Sequence, residues 1–185
     1  AKLAEFPDVL TREEQPMDEE ELWTILEAGV RQAAEQFVAA RTREGENLKQ
    51  DLTGKLTEML AMVDYIEERS PQLVQEYREK LEAKVKELLE GSNLDESRIA
   101  TEVVLYADKI CVDEETVRLR SHITGAKQIL EDGGSVGRKL DFIAQEMNRE
   151  ANTILSKANS LDISNKAIDL KTEIEKVREQ IQNIE

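Results

Sequence analysis

The chain has 185 residues, enough for one or two domains, and carries 40 Asp and Glu against 25 Lys and Arg, a net charge of -15. Aromatics are only 4%, with eight Gly and three Pro, too few for a β-sandwich or barrel, whereas 35% charged residues fit long helices. One cysteine, Cys111, excludes an internal disulfide and a multi-Cys zinc site, and the longest apolar run, five residues at 103–107, falls far short of the ~20 that a membrane helix needs.

The pattern predicts an all-α chain. Residues 1–17, with Pro7 and Pro16, read as an extended lead-in. They show neither a secretory signal nor an initiator Met, so a processed chain or a piece of a longer one is expected. Asp18, with Glu21 three residues on, resembles a capping box. Apolar residues then recur at helical spacing: Leu22, Leu26, Val30, Ala33, Phe37, then Leu48, Leu52, Leu56, Met59, Val63 and Ile66. Gly45 marks the expected bend. Ser70-Pro71 reads as a helix restart, and Gly91 as the next stop, so residues 18–92 are expected to form a long antiparallel hairpin.

Residues 93–185 read as a C-terminal domain of shorter helices. One runs from about Asp95 to Lys109, the next from Asp113 to Gly133-Gly134, and another from Ser135 through the 150s. The last, about Ile163 to Ile184, spaces Ala167, Leu170, Ile174, Val177, Ile181 and Ile184 as a strict heptad seam. That seam suits a coiled coil between subunits and a helix packed in its own domain equally well. Cys111, between Ile110 and Val112, is expected to pack as a small apolar residue.

Charge is uneven. Residues 1–112 hold 26 acids and 14 bases, whereas residues 113–157 hold eight and seven, the latter mostly Arg. Arg is the better fork for phosphate, and an acidic protein that binds nucleic acid needs such a local site against its own field. On a helical wheel, Leu140, Ile143, Ala144, Met147, Ala151, Ile154 and Leu155 form one buried face. The opposite face holds Arg138, Asp141, Gln145, Arg149, Asn152 and Ser156. Asn, Asp and Ser are poor helix formers, so their gathering there points to binding or to pairing with another polar surface.

Glu146 and Glu150, one turn apart, can share a divalent cation or act as acid and base; the plain alternative is that they are solvated or paired with Lys139 and Lys157. Glu115, Arg118 and His122 share a face of the preceding helix. His122 is the chain's one histidine, able to trade protons near neutrality or to serve structure alone. Between these helices, Gly133-Gly134-Ser135-Val136-Gly137-Arg138-Lys139 reads either as a phosphate-holding helix start or as a stop followed by a cap.

Several stretches resemble the YicC/YloC family of bacterial proteins: Val117-Arg118-Leu119-Arg120-Ser121-His122, Gly137-Arg138-Lys139-Leu140-Asp141-Phe142, Gln145-Glu146-Met147-Asn148-Arg149-Glu150-Ala151-Asn152-Thr153 and Val177-Arg178-Glu179-Gln180-Ile181-Gln182-Asn183-Ile184-Glu185. Pro7-Asp8-Val9-Leu10 and Arg43-Glu44-Gly45-Glu46 are similar too. Leu155 departs from the Gly expected there, a change of packing more than of chemistry. The resemblance implies a cytoplasmic, metal-dependent endoribonuclease on single-stranded RNA, linked to stress and stationary phase, that forms a ring-like homo-oligomer, a hexamer. It also implies a further N-terminal domain, which this chain is expected to lack.

Residues and resemblance together predict a hydrolytic centre of His122, Glu146 and Glu150, with Mg²⁺ or Mn²⁺ on Asp141, Glu146 and Glu150. Arg118, Arg120, Arg138, Lys139, Arg149 and Lys157 would hold phosphates, and Asn148 and Asn152 sugars or bases. The rival expectations are a non-catalytic helical scaffold and an RNA-binding module that presents RNA to another nuclease.

Overall fold

The computed structural model describes residues 18–88 and 96–184. The expected lead-in at 1–17, the stop at Gly91 and the start at Asp95 lie outside them. The described residues form five helices and no strand: α1 (Glu19–Leu88), α2 (Glu96–Ile110), α3 (Asp113–Asp132), α4 (Gly137–Lys157) and α5 (Leu161–Ile181). The all-α expectation holds. At the start of α1 the Asp18 carboxylate accepts the Glu20 N–H at 3.0 Å, as a capping residue should.

The expected break at Ser70-Pro71 is not made. Pro71 lies inside α1, and the Ser70 hydroxyl is buried without a partner among the described residues, capping nothing. Proline costs the helix one hydrogen bond and crowds the carbonyl four residues back. Two features hold the helix through it. Ile66 and Leu73 are both buried, so the apolar face runs on past the proline. Arg69 also spans it, donating to Glu76 at 2.7 and 3.1 Å. The antiparallel hairpin forms instead between α1 and α2, where Tyr77 stacks on Tyr106 with ring centres 3.7 Å apart.

The chain divides into two compact units between Glu44 and Gly45, within α1. In the first, Trp23, Ile25, Leu26, Val30, Phe37 and Val38 are all exposed. The second, from Gly45 onward, holds the core. There, cross-links fix an up-down-up-down bundle of α1, α3, α4 and α5. Lys49 pairs with Glu131, Lys127 donates to Thr57, and Arg120 meets Asp64 and Glu67, so α1 and α3 run antiparallel. Glu115 to Lys157 and Arg118 to Glu150 set α4 antiparallel to α3. Arg178 to Asp141 sets α5 antiparallel to α4, and Arg69 to Asp162 joins α5 back to α1. Leu52, Leu56, Met59, Val63, Leu119, Ile123, Ala144, Met147, Ala151, Ile154, Leu170 and Ile174 fill the centre at 0–1% exposure.

The heptad seam of α5 is part of this core: Ala167, Leu170, Ile174, Val177 and Ile181 are buried within the chain. It is therefore spent on the bundle and is not free for a coiled coil between subunits. Cys111 also departs from expectation. It is exposed in the two-residue α2–α3 connection while Ile110 and Val112 on either side turn into the core.

The glycine stretch reads as stop and restart. Gly133 and Gly134 take φ of 71° and 84°, the left-handed region that glycine enters freely, and the Gly133 N–H closes α3 on the Ile129 carbonyl at 3.1 Å. Val136, not Ser135, occupies the cap of α4, because its side chain is drawn into the core. A Cβ on Gly137 would stand 3.0 Å from the Ile184 carbonyl oxygen, so the chain's end covers the helix start where a phosphate was the alternative.

Candidate nucleic-acid interface on the third and fourth helices

α4 presents three flanks to three surroundings, a consequence of 100° per residue. Its α3 side carries Lys139, Glu146, Glu150 and Lys157. Its α5 side carries Asp141, Asn148 and Leu155. Between them a solvent face carries Arg138, Phe142, Gln145, Arg149, Asn152 and Ser156. Neighbouring contacts bear this out on both flanks.

On the α3 side, Glu150 is 9% exposed and lies 3.7 Å from Arg118, which also pairs with Glu114 one turn back. Glu115 is more deeply buried, at 6%, and accepts from the Lys157 ammonium at 2.9 Å. Its second oxygen is buried with no partner among the described residues. Burying a carboxylate calls for a charged partner, and the Lys157 ammonium supplies it across the seam. His122, half-buried, follows Arg118 by one turn on the same flank. Extended by one turn, the antiparallel register that pairs Glu115 with Lys157 and Arg118 with Glu150 points His122 toward the turn of Glu146, although no hydrogen bond or ion pair joins the two among the described residues. Glu146 pairs with Arg149 on its own helix.

The expected metal set is not gathered. Asp141 stands about 140–180° around the helix from Glu146 and Glu150. It accepts from Arg178 at 3.2 Å and from Gln145 at 2.8 Å, and so ties α4 to α5. Among the described residues no three His, Cys, Asp or Glu side chains converge as a ligand set for an ion. The plain pairing of Glu146 with Lys139 and Glu150 with Lys157 is not made either; both carboxylates face arginines.

The expected phosphate contacts divide. Arg120 does not belong with the rest: it faces α1, donating to Asp64 and Glu67 at 2.6 Å each, and the Asp64 and Glu67 hydrogen bonds raise its pKa above the ordinary arginine value. Arg118, Arg149 and Lys157 lie on or beside the α3–α4 seam in ion pairs. Arg138 and Lys139 are exposed, and neither carries an ion pair among the described residues. Asn152 is exposed on the solvent face. Asn148 instead lines a shallow groove of about 590 Å³ on the α5 side, with Leu155, Ile168, Lys171 and Lys176. Lys176 has its pKa raised chiefly by its hydrogen bond to Glu173.

Two residues escaped the reading of the sequence. Glu115 was visible as a neighbour of Arg118, but its burial depends on how α4 lies over α3, which no single-helix wheel shows. Phe142 is 63% exposed on the polar face, and its signal was plain: the one large apolar residue on that side of the wheel.

Among the described residues no helix is long and apolar enough to cross a membrane. Comparison with known proteins gives a consistent picture. The family model "Endoribonuclease YicC-like, C-terminal" matches residues 66–185, and "Endoribonuclease YicC-like, N-terminal region" matches residues 1–50. The expectation that the N-terminal region is missing is corrected to that extent, and the second match ends close to the division between the two compact units. A "Probable endoribonuclease YicC" of Clostridioides difficile is 44% identical over 184 residues, 99% of this chain and 63% of that protein. Its namesake in Haemophilus influenzae is 38% identical over 182 residues, 97% of this chain and 61% of that protein. The chain thus spans less than two thirds of the length of these relatives. With the C-terminal match covering all of α2 to α5, the chain belongs to the YicC-like family.

Proposed function

We propose that the protein is an endoribonuclease that cuts phosphodiester bonds in single-stranded RNA, small regulatory RNA included, in the cytoplasm and as a homo-oligomer. One observation carries the reading beyond family membership: the only histidine, a cross-reaching arginine and two carboxylates share the α3–α4 seam of a molecule whose net charge of -15 repels RNA. Cutting the bond needs a base for the attacking oxygen, an acid for the leaving oxygen, and cations for the charge that grows on phosphorus. His122 and Glu146, which the register of the two helices would bring into the same turn, exchange those protons, with Glu150 one turn on. Arg118 and Arg149 neutralise the phosphate oxygens by exchanging carboxylate for phosphate. Arg138, Lys139 and Lys157 hold adjoining phosphates, and Asn152 and Asn148 meet sugars or bases. Arg120 has no part in it.

The divalent Mn²⁺ or Mg²⁺ expected with the family does not fit the Asp141, Glu146 and Glu150 set in this chain, and no step here runs through it. The test is cleavage of a single-stranded RNA by His122→Ala and Glu146→Gln. Each is expected to lower the rate about 100-fold or more while RNA affinity changes little. Wild-type rates in both remove the mechanism. Chelator that stops cleavage, with Mn²⁺ restoring it, would make a cation essential and send the search to ligands beyond Asp141.

A second reading is an RNA-binding module without cleavage. The carboxylate partners of Arg118, Arg149 and Lys157 favour it, since they leave mainly Arg138 and Lys139 ready for phosphate. Salt-dependent RNA binding with no cleavage under any metal condition supports that reading. Absence of RNA binding leaves the scaffold. Solution mass measures the oligomer, hexamer or otherwise, to which the buried α5 seam does not contribute.

A further inference from the structure

We propose that Phe142 is a stacking platform for an unpaired RNA base and gives the protein its preference for single strands. The inference rests on the RNA reading above and names the chemistry of its recognition. Phe142 is the most exposed aromatic among the described residues of the second compact unit, at 63%. Among the described residues it takes no part in the core, which lies on the far side of α4, in Leu140, Ala144, Met147 and Ala151. Its own face is otherwise amide, hydroxyl and guanidinium, from Gln145, Asn152, Ser156, Arg138 and Arg149.

Position on the helix gives the platform its partner. Arg138 lies one turn before Phe142 and Arg149 two turns after, within about 40° of it on the wheel, so cations stand some 6 Å and 10 Å away along the axis. Lys139 adds a third charge beside Arg138. The acids nearby are already engaged, Asp141 by Arg178 and Glu146 by Arg149. Arg149 is itself held by Glu146, so among the described residues the cations free beside the ring are Arg138 and Lys139. An exposed ring next to them on an otherwise anionic molecule complements a polyanion that also carries flat apolar surfaces. Single-stranded RNA is that ligand: its phosphates reach the cations and an unstacked base covers the ring. A duplex keeps its bases stacked and offers only phosphates.

The experiment measures binding of oligo(A) RNA, a duplex RNA of the same length and inorganic polyphosphate at one salt concentration. The proteins are the wild-type chain and its Phe142→Ala, Phe142→Leu and Phe142→Tyr variants, with circular dichroism to verify folding. Alanine and leucine are expected to weaken oligo(A) binding about 10-fold, tyrosine to keep it within about 2-fold, and none to alter polyphosphate or duplex binding. Wild-type RNA affinity in the alanine variant, or full rescue by leucine, overturns the stacking role. So does a change in solution mass of the alanine variant, which would make the ring a contact between copies. A wild-type chain with no RNA affinity overturns the functional reading and the platform together, whereas RNA binding indifferent to Phe142 overturns the platform alone.

Discussion

The two stretches of α1 on either side of Glu44 carry the same apolar rhythm and meet different fates. Leu22, Leu26, Val30 and Phe37 repeat at helical spacing and are exposed, Val30 at 68%. Leu52, Leu56, Met59, Val63 and Ile66 repeat likewise and are at most 1% exposed. Periodicity therefore names a face, while burial depends on whether other elements arrive to cover it. In the second stretch three do, α3, α4 and α5, and the burial of large aliphatic side chains there stabilises α1 far more than helix propensity can.

The sharpest way to break this contrast is a pair of truncations. Leu56→Ala should lower stability by about 2–5 kcal/mol through lost burial and a cavity at the bundle centre. Val30→Ala should change it by at most about 0.5 kcal/mol. Urea unfolding of the chain measures both. Equal losses would mean that the first stretch packs in solution as the second does.

Next in size is Pro71. If α1 is continuous, Pro71→Ala restores a helix hydrogen bond and relieves the crowding, and should raise stability by about 2 kcal/mol. A loss of stability would instead place a break there. A smaller effect separates the two flanks of α3. Arg120→Ala removes ties to Asp64 and Glu67 on α1, and with its side chain 39% exposed should cost no more than about 1 kcal/mol. RNA affinity and its salt slope should not move. Arg138→Ala should do the reverse, leaving the urea midpoint in place and reducing the salt slope by about one unit. An Arg120 variant that loses RNA affinity without losing stability would return that residue to the interface.

How far these outcomes were legible in the sequence depends on the range of the interaction. Helix identity was legible, because the repeats at Leu119, Ile123, Ala126 and Leu130 and at Leu140, Ala144, Met147 and Ala151 are local. So was the core face of α4. Ser70-Pro71 misled because its meaning is set by distant packing: Leu73 is buried against other helices, and Arg69 reaches Asp162 as well as Glu76. The candidate site was half legible. A wheel grouped Arg138, Arg149 and Asn152 correctly, yet it also admitted Asp141, whose partner Arg178 lies 37 residues on in another helix. No local signal predicts the register that brings Arg118 to Glu150.

The smallest effect tests the tie across Pro71 through pH. Hydrogen bonds from Arg69 hold the Glu76 carboxyl below its ordinary pKa, and Arg69 is raised in turn, chiefly by the same bonds. The folded state thus binds that proton less readily than the unfolded chain does. The contribution is present above the usual carboxylate value of about 4.3 and is lost as pH falls through the lower folded value. Glu76→Gln removes it at every pH, so the wild-type and variant urea midpoints should differ near neutrality and converge in acid. Because the Glu76 side of the pair is exposed, at 58%, added salt should narrow the gap at neutral pH as well. Midpoints that stay parallel down to pH 3 would show that Arg69 and Glu76 do not hold α1 together at the proline, leaving the buried Ile66 and Leu73 to do so alone.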